Sequence, residues 1–302
     1  MAYDKRPRGF ALLILVLALL LPLPAPAADL AHGQGILWQV TAPNGRSGHF
    51  LGTFHTTDPR VLKLPPAVTQ AFGAARTLAL EIVLTPQEQQ ALAMSAMLTD
   101  GRSLDQIVGP DLYAQSAAAA RAYGLPPPAL RMLKPWGLMS LLAAPPEEFA
   151  RKSRGVQALD FYLQRMAQQQ GKPVVALETV AEQIGLFDSF SESDQVAMLA
   201  STLAQHGEIR TLYEGMIKDY LARDIASIHA LTSELSGGID PAVQARFVEQ
   251  MIDRRNRIMV ERAQPLLQQG GAFIAVGALH LPGEKGILRL LEGRGYRVAR
   301  VY

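Results

Sequence analysis

The chain has 302 residues, with 29 lysines and arginines against 27 aspartates and glutamates, and no cysteine. Lys5, Arg6 and Arg8 set against Asp4 account for the whole positive excess, so the rest of the chain is neutral and lacks the basic run that binds nucleic acid. Without cysteine, disulfides and lipid attachment at a processed signal are excluded, and stability has to come from a core that a chain of this length can bury.

The first segment reads as a secretory signal peptide over residues 1–27. Its basic start is followed by the apolar run Phe10–Leu21 and then by "PLPAPAA", where Ala25-Pro26-Ala27 fits the small-x-small cleavage rule. The run is shorter than the roughly 17–25 residues that a spanning helix needs, and no second uncharged stretch of that length follows. The expected protein is therefore periplasmic or secreted, with no membrane span once the leader is removed. Residues 28–302 are expected to form one domain with a mainly helical middle region, about 86–270.

Ile36–Thr41 and His49–Thr53 read as a β-hairpin around Pro43-Asn44-Gly45. Leu64–Arg76 reads as a proline-opened helix and Thr77–Val83 as a buried strand carrying one acid, Glu81. Thr85–Leu98 has an N-cap threonine followed by proline, and the segment Gly109–Gly124 ends on a capping glycine. Leu125–Pro146 is proline-rich and apolar, as short packed helices are. A helix, the Gly171-Lys172-Pro173 turn and a strand over Val174–Leu177 come next, then three amphipathic helices and one long helix from Asp240 to Gly271, bent before Pro265. The end returns to strand (Ala272–Ala278), helix (Gly283–Gly295) and a last strand, "YRVARVY", whose alternation of apolar and basic residues marks a sheet edge. The predicted fold class is α/β: a central mixed β-sheet with flanking helices and a large helical insertion in the middle of the chain.

Two strands end in the same pattern, Gly-x-x-His: Gly52 to His55 and Gly277 to His280. Glycine lets the backbone turn or approach a ligand closely, and the carboxyl edge of an open α/β sheet is where ligands bind. His55 and His280 can thus share one crevice, as metal ligands or as bases. Glu81 lies among apolar neighbours, where a carboxylate is costly unless it is paired or binds a metal. Glu178 follows the strand "VVAL" in the same way, either as a site acid or as a helix N-terminal acid. In "DRRNRIM" not every side chain can face solvent on an amphipathic helix, so one arginine with Asn256 is expected to turn inward. Nucleophile-elbow, Walker and dinucleotide glycine patterns are missing, which disfavours a serine hydrolase or a nucleotide enzyme.

"LWQV…HFLGTFHTTDPR…LALEIV", "LKPW", "GKPVVALETVAEQIGLF", "RRNRIM" and "FIAVGALHLPGEKGILRLLEGRGYRV", in that order, resemble the TraB/GumN family, which is related to the Tiki metalloproteases. The resemblance implies an α/β core related to the erythromycin-esterase and ChaN-like folds. It places the family's two Gly-x-x-His motifs on Gly52–His55 and Gly277–His280, its glutamate on Glu81, and its arginine-asparagine pair on Arg255 and Asn256. Many relatives have Gly-aliphatic-Asp where this chain has Ala158-Leu159-Asp160. The expected function is a metal-dependent hydrolase acting on peptides or proteins. In it His55, His280 and Glu81 hold a divalent cation (Zn, Mn or Co), Glu81 or Glu178 takes a proton, Arg255 stabilises an oxyanion and Asn256 positions it. The alternative is a non-catalytic protein of the same fold that sequesters haem or a peptide pheromone.

Overall fold

Residues 30–235 and 239–302 are described by the structure, a computed structural model. The expected leader, residues 1–27, lies outside the described residues. The hairpin forms as its turn chemistry requires: Gly45 takes φ 83° and its N–H donates to the Ala42 carbonyl. This joins β1 (Leu37–Thr41) to β2 (Ser47–Thr53) in antiparallel register. With β3 (Thr77–Leu80), β4 (Val174–Ala176), β5 (Ala272–Gly277) and β6 (Arg297–Arg300) they make a six-stranded mixed sheet in the order β4-β3-β5-β2-β1-β6. The neighbours β4, β3, β5 and β2 run parallel, while β1 is antiparallel to both β2 and β6. Every residue of β5 is buried, as a strand covered on both faces must be. β6 is the edge that its alternating sequence predicted.

Phe72, Leu78, Leu80 and Phe273 build the core on one face of the sheet; Phe50, Ile274, Val276, Met259 and Leu288 build it on the other. A third cluster, around Trp136, Phe187, Leu199 and Phe247, belongs to helices of the middle region. Between β3 and β5 the described chain is helical apart from β4. Lys172, in the turn before β4, donates from Nζ to the carbonyls of Phe72, Gly73 and Ala75 and so caps the Pro66–Ala74 helix.

Two sequence expectations are corrected. The strand expected to reach Val83 stops at Leu80, because the Gly277 N–H, two residues past the Leu80–Ala275 pair, donates to the Glu81 side chain instead of to a backbone carbonyl. The long helix expected over 240–271 is irregular at Glu249–Asp253, a π-helical turn, and runs on through Pro265 to Gln269. A π-turn resets the helical phase, and here it precedes Arg255 and Asn256, which are both buried while Arg254 and Arg257 are exposed. Among the described residues no helix is long and apolar enough to cross a membrane.

Candidate active site

The parallel strands carry their carboxyl ends to one edge. The pairs Thr53–Gly277, Leu80–Ala275 and Leu80–Ala176 fix the register there, and the Glu178 N–H bonds to the Glu81 carbonyl at 2.7 Å just beyond it. His55, Glu81, Glu178 and His280 all follow a strand end, so the sheet brings them together. Arg255 and Asn256 reach the same place from the Arg254–Gln269 helix.

Arg255 is the centre of the buried part. Its Nε donates to Glu178 Oε1 and Oε2 at 3.0 and 3.1 Å, and its Nη2 to Glu81 Oε2 at 2.6 Å and Glu178 Oε2 at 2.7 Å. Its Nη1 donates to the Met251 carbonyl and to His280 Nε2, each at 3.2 Å. A guanidinium is always a donor, so His280 Nε2 is an acceptor and the proton sits on Nδ1. That Nδ1 donates to Asn256 Oδ1 at 2.6 Å, and Asn256 Nδ2 donates to the Lys285 carbonyl at 2.9 Å. His280 is thus held neutral: burial and then the Arg255 charge lower its pKa to about 3. Burial acting alone would raise Glu81, but the Arg255 charge above all, with His55 and the Gly277 N–H, holds its carboxyl well below the usual range.

His55 is built differently. Its Nδ1 donates to Asp160 Oδ2 at 2.5 Å, and Asp160 Oδ1 accepts from Thr53 Oγ1 at 2.7 Å. Burial opposes the charged imidazole, yet the Asp160 carboxylate outweighs it and raises the pKa. Its side chain keeps 17% exposure, against none for His280, so His55 is the histidine that solvent reaches. Gly277 supplies the floor. A Cβ at that position would lie 3.2 Å from Glu81 Oε1, 3.4 Å from His55 Nε2 and 3.5 Å from His280 Cδ2. The missing side chain leaves the space on which these three groups converge.

This architecture is matched over residues 36–300 by the family model for TraB/PrgY/gumN. The chain belongs to the TraB/PrgY/gumN family. Metalloprotease TIKI2 of Danio rerio is 28% identical over 312 residues, covering 87% of this chain and 60% of that protein. Metalloprotease TIKI1 of Homo sapiens is 27% identical over 312 residues, covering 87% of this chain and 61% of that protein. The chain therefore spans about three fifths of the length of these two relatives. The uncharacterized protein YbaP of Shigella flexneri is 21% identical over 253 residues, covering 84% of this chain and 90% of that protein. No solved structure matches the chain.

In this TraB/PrgY/gumN protein two histidines and a carboxylate meet at the sheet edge. An oxygen of Asp160 or Asn256 fixes Nδ1 of each histidine, which leaves Nε2 of His55 outward and gives Nε2 of His280 to Arg255. Glu81 Oε1 lies 3.7 Å from His280 Nε2. The Arg255 guanidinium bonds both Glu81 and His280, and among the described residues no three His, Asp or Glu side chains form a ready ligand shell.

Arg255 and Asn256, expected at an oxyanion, are engaged with protein groups in this structure. Each guanidinium nitrogen of Arg255 donates to protein acceptors, while Asn256 orients His280 through Oδ1 and donates from Nδ2 to the Lys285 carbonyl. Glu178, 3% exposed, spends both oxygens on Arg255 and accepts from Gln183 Nε2 at 3.2 Å; it lies behind Glu81 rather than in the cleft.

Two further groups escaped sequence reasoning. Glu148, fully buried, accepts from Thr56 Oγ1, Thr57 N and Thr57 Oγ1 at 2.5, 2.9 and 2.8 Å and so fixes the loop after His55. Lys152 lies one helical turn beyond it. The acid doublet Glu147-Glu148 straight after Pro145-Pro146 gave no sign of which acid points inward; the apolar run that it closes was the one signal present.

Proposed function

We propose that this chain is an exported, metal-dependent hydrolase that cuts peptides or proteins. One observation carries the reading: His55 Nε2, Glu81 Oε1 and His280 converge on the space left by Gly277, with each histidine oriented from behind. The named metalloproteases among its relatives support the peptidase class, and the signal-like start of the sequence supports a periplasmic or secreted location.

His55, His280 and Glu81 would hold the divalent cation, with Zn, Mn and Co all suited to two imidazoles and a carboxylate. A cation there supplies Lewis acidity toward water and carbonyl oxygen. Admitting it requires Arg255 to give up its bonds to Glu81 and His280, and Glu178 remains as the partner that holds the guanidinium. Glu81 is kept ionised by its surroundings, as a carboxylate that holds a cation has to be. Asp160 holds His55 with Nε2 turned outward, and the buried Arg255–Glu178 pair keeps Glu81 in place.

The test is divalent-metal content of protein purified without chelator, beside a His55→Ala/His280→Ala variant, followed by a peptide-cleavage screen. About one ion per chain, lost in the variant, with cleavage that depends on it, is the expected result. Undiminished cleavage by the double variant would sink the mechanism. No uptake of Zn, Mn or Co by the wild type would remove the metal from it.

A further inference from the structure

The mechanism leaves one cation at the cleft without a task. Lys152 lies on the Pro146–Ser153 helix, four residues after Glu148 and therefore on the same helical face. That face is fastened to the His55 loop by the bonds from Thr56 and Thr57 to Glu148. Lys152 is part-buried and close enough for its charge to act on His55, Glu148 and Asp160.

Each of those carboxylates is already bonded to other groups. Glu148 is taken by the two threonines and by Arg151 Nη2 at 2.5 Å; Asp160 is taken by Thr53 and His55. The other cations of the region are also committed. Arg151 Nε donates to Thr57 Oγ1 at 2.8 Å, Lys285 pairs with Asp253 at 2.6 Å, and Arg255 is saturated as described. Among the described residues Lys152 Nζ has no hydrogen bond and no ion pair. The Glu148 and Asp160 charges act on a part-buried Lys152 without bonding it, and a carboxylate brought to its ammonium gains a charge-assisted hydrogen bond.

We propose that Lys152 is a specificity-determining residue of this cleft and binds a carboxylate of the substrate, which is therefore a peptide with either a free C-terminus or an acidic side chain near the bond that is cut. The proposal rests on the peptide-hydrolase reading above for the class of substrate, but not on turnover.

Binding and cleavage separate the two. Three pools of random N-acetylated tetrapeptides are equilibrated across a dialysis membrane with the wild-type protein, Lys152→Gln and Lys152→Arg. One pool has a free C-terminus, one is C-terminally amidated with neutral side chains, and one is amidated with a single glutamate. Bound peptide is counted by mass spectrometry. The wild type is expected to retain one carboxylate-bearing pool at least tenfold over the neutral amide, and which pool it is identifies the source of the carboxylate. Lys152→Gln should bring that ratio to within twofold with the protein still folded by circular dichroism, since no hydrogen bond or ion pair is lost, and Lys152→Arg should keep part of it. Equal retention of all pools by the wild type, retention of none, or undiminished preference in Lys152→Gln overturns the proposal. A carboxylate preference without cleavage leaves Lys152 as assigned and refutes the peptidase reading; cleavage without a preference does the reverse.

Discussion

The glycines of the two Gly-x-x-His motifs do different work, and replacing each with alanine separates folding from function. Gly277 has φ −52° and ψ 135°, a conformation open to any L-residue. Alanine there gains about 0.4–1 kcal/mol by restricting the unfolded chain. Against this stands one tight contact, 3.2 Å from the new Cβ to Glu81 Oε1, which a side chain relieves by moving a few tenths of an ångström. The net change in stability is expected within about 1 kcal/mol of zero, hence a shift in Tm of no more than about 2–4 °C. The methyl group nevertheless fills the space between Glu81, His55 and His280. At Gly52 the added Cβ meets the Ala278 backbone Cα at 3.0 Å and Leu281 Cδ1 at 3.0 Å, and backbone cannot turn aside. Overpacking of that kind costs about 1–3 kcal/mol, or a fall in Tm of about 3–10 °C. Thermal unfolding followed by circular dichroism, with cobalt or zinc uptake measured on the same samples, checks both. Gly277→Ala should melt like the wild type and lose cation uptake at least tenfold; Gly52→Ala should show the larger loss of stability. A Gly277→Ala protein that takes up cations and cleaves peptides as the wild type does would refute the cradle.

Arg255→Met should destabilise the protein by about 3–5 kcal/mol in urea unfolding at neutral pH, because Glu81 and Glu178 are left buried and unpaired; a loss below about 1 kcal/mol would mean that water reaches them. His280, with its folded pKa lowered to about 3 from 6.5, contributes stability that is full above pH 6.5 and is lost as pH falls toward 3. Between pH 6.5 and 5 the wild type should lose up to about 1.4 kcal/mol per pH unit more than His280→Asn, and parallel pH profiles would contradict the assigned neutral imidazole. His55 has the opposite sign: its pKa is raised by Asp160, so its contribution is full below pH 6.5 and is lost as pH rises through the folded value. Asp160→Asn should lower the His55 pKa seen in imidazole nitrogen NMR, and an unmoved titration would show that the pair does not hold the ring.

The sequence by itself determined the α/β class, the hairpin, the edge strand β6 and the meeting of both Gly-x-x-His motifs at one sheet edge. These are local matters: turn residues, strand-length apolar runs and the rule that parallel strands expose their carboxyl ends together. It also marked Glu81 as a charge in apolar surroundings that needs a partner, and one arginine beside Asn256 as turned inward. Only the tertiary structure decided which partners they take. A hydrogen bond from Arg255 to Glu178 joins residues 77 positions apart, and the pair of Thr53 and Asp160 is separated by 107; no local pattern encodes such distances. The same holds for the π-turn that turns Arg255 and Asn256 inward, and for Glu148 and Lys152. Their chemistry comes from the loop that their helix packs against, because an ionisable side chain takes its role from the charges and solvent around it rather than from its neighbours in the chain.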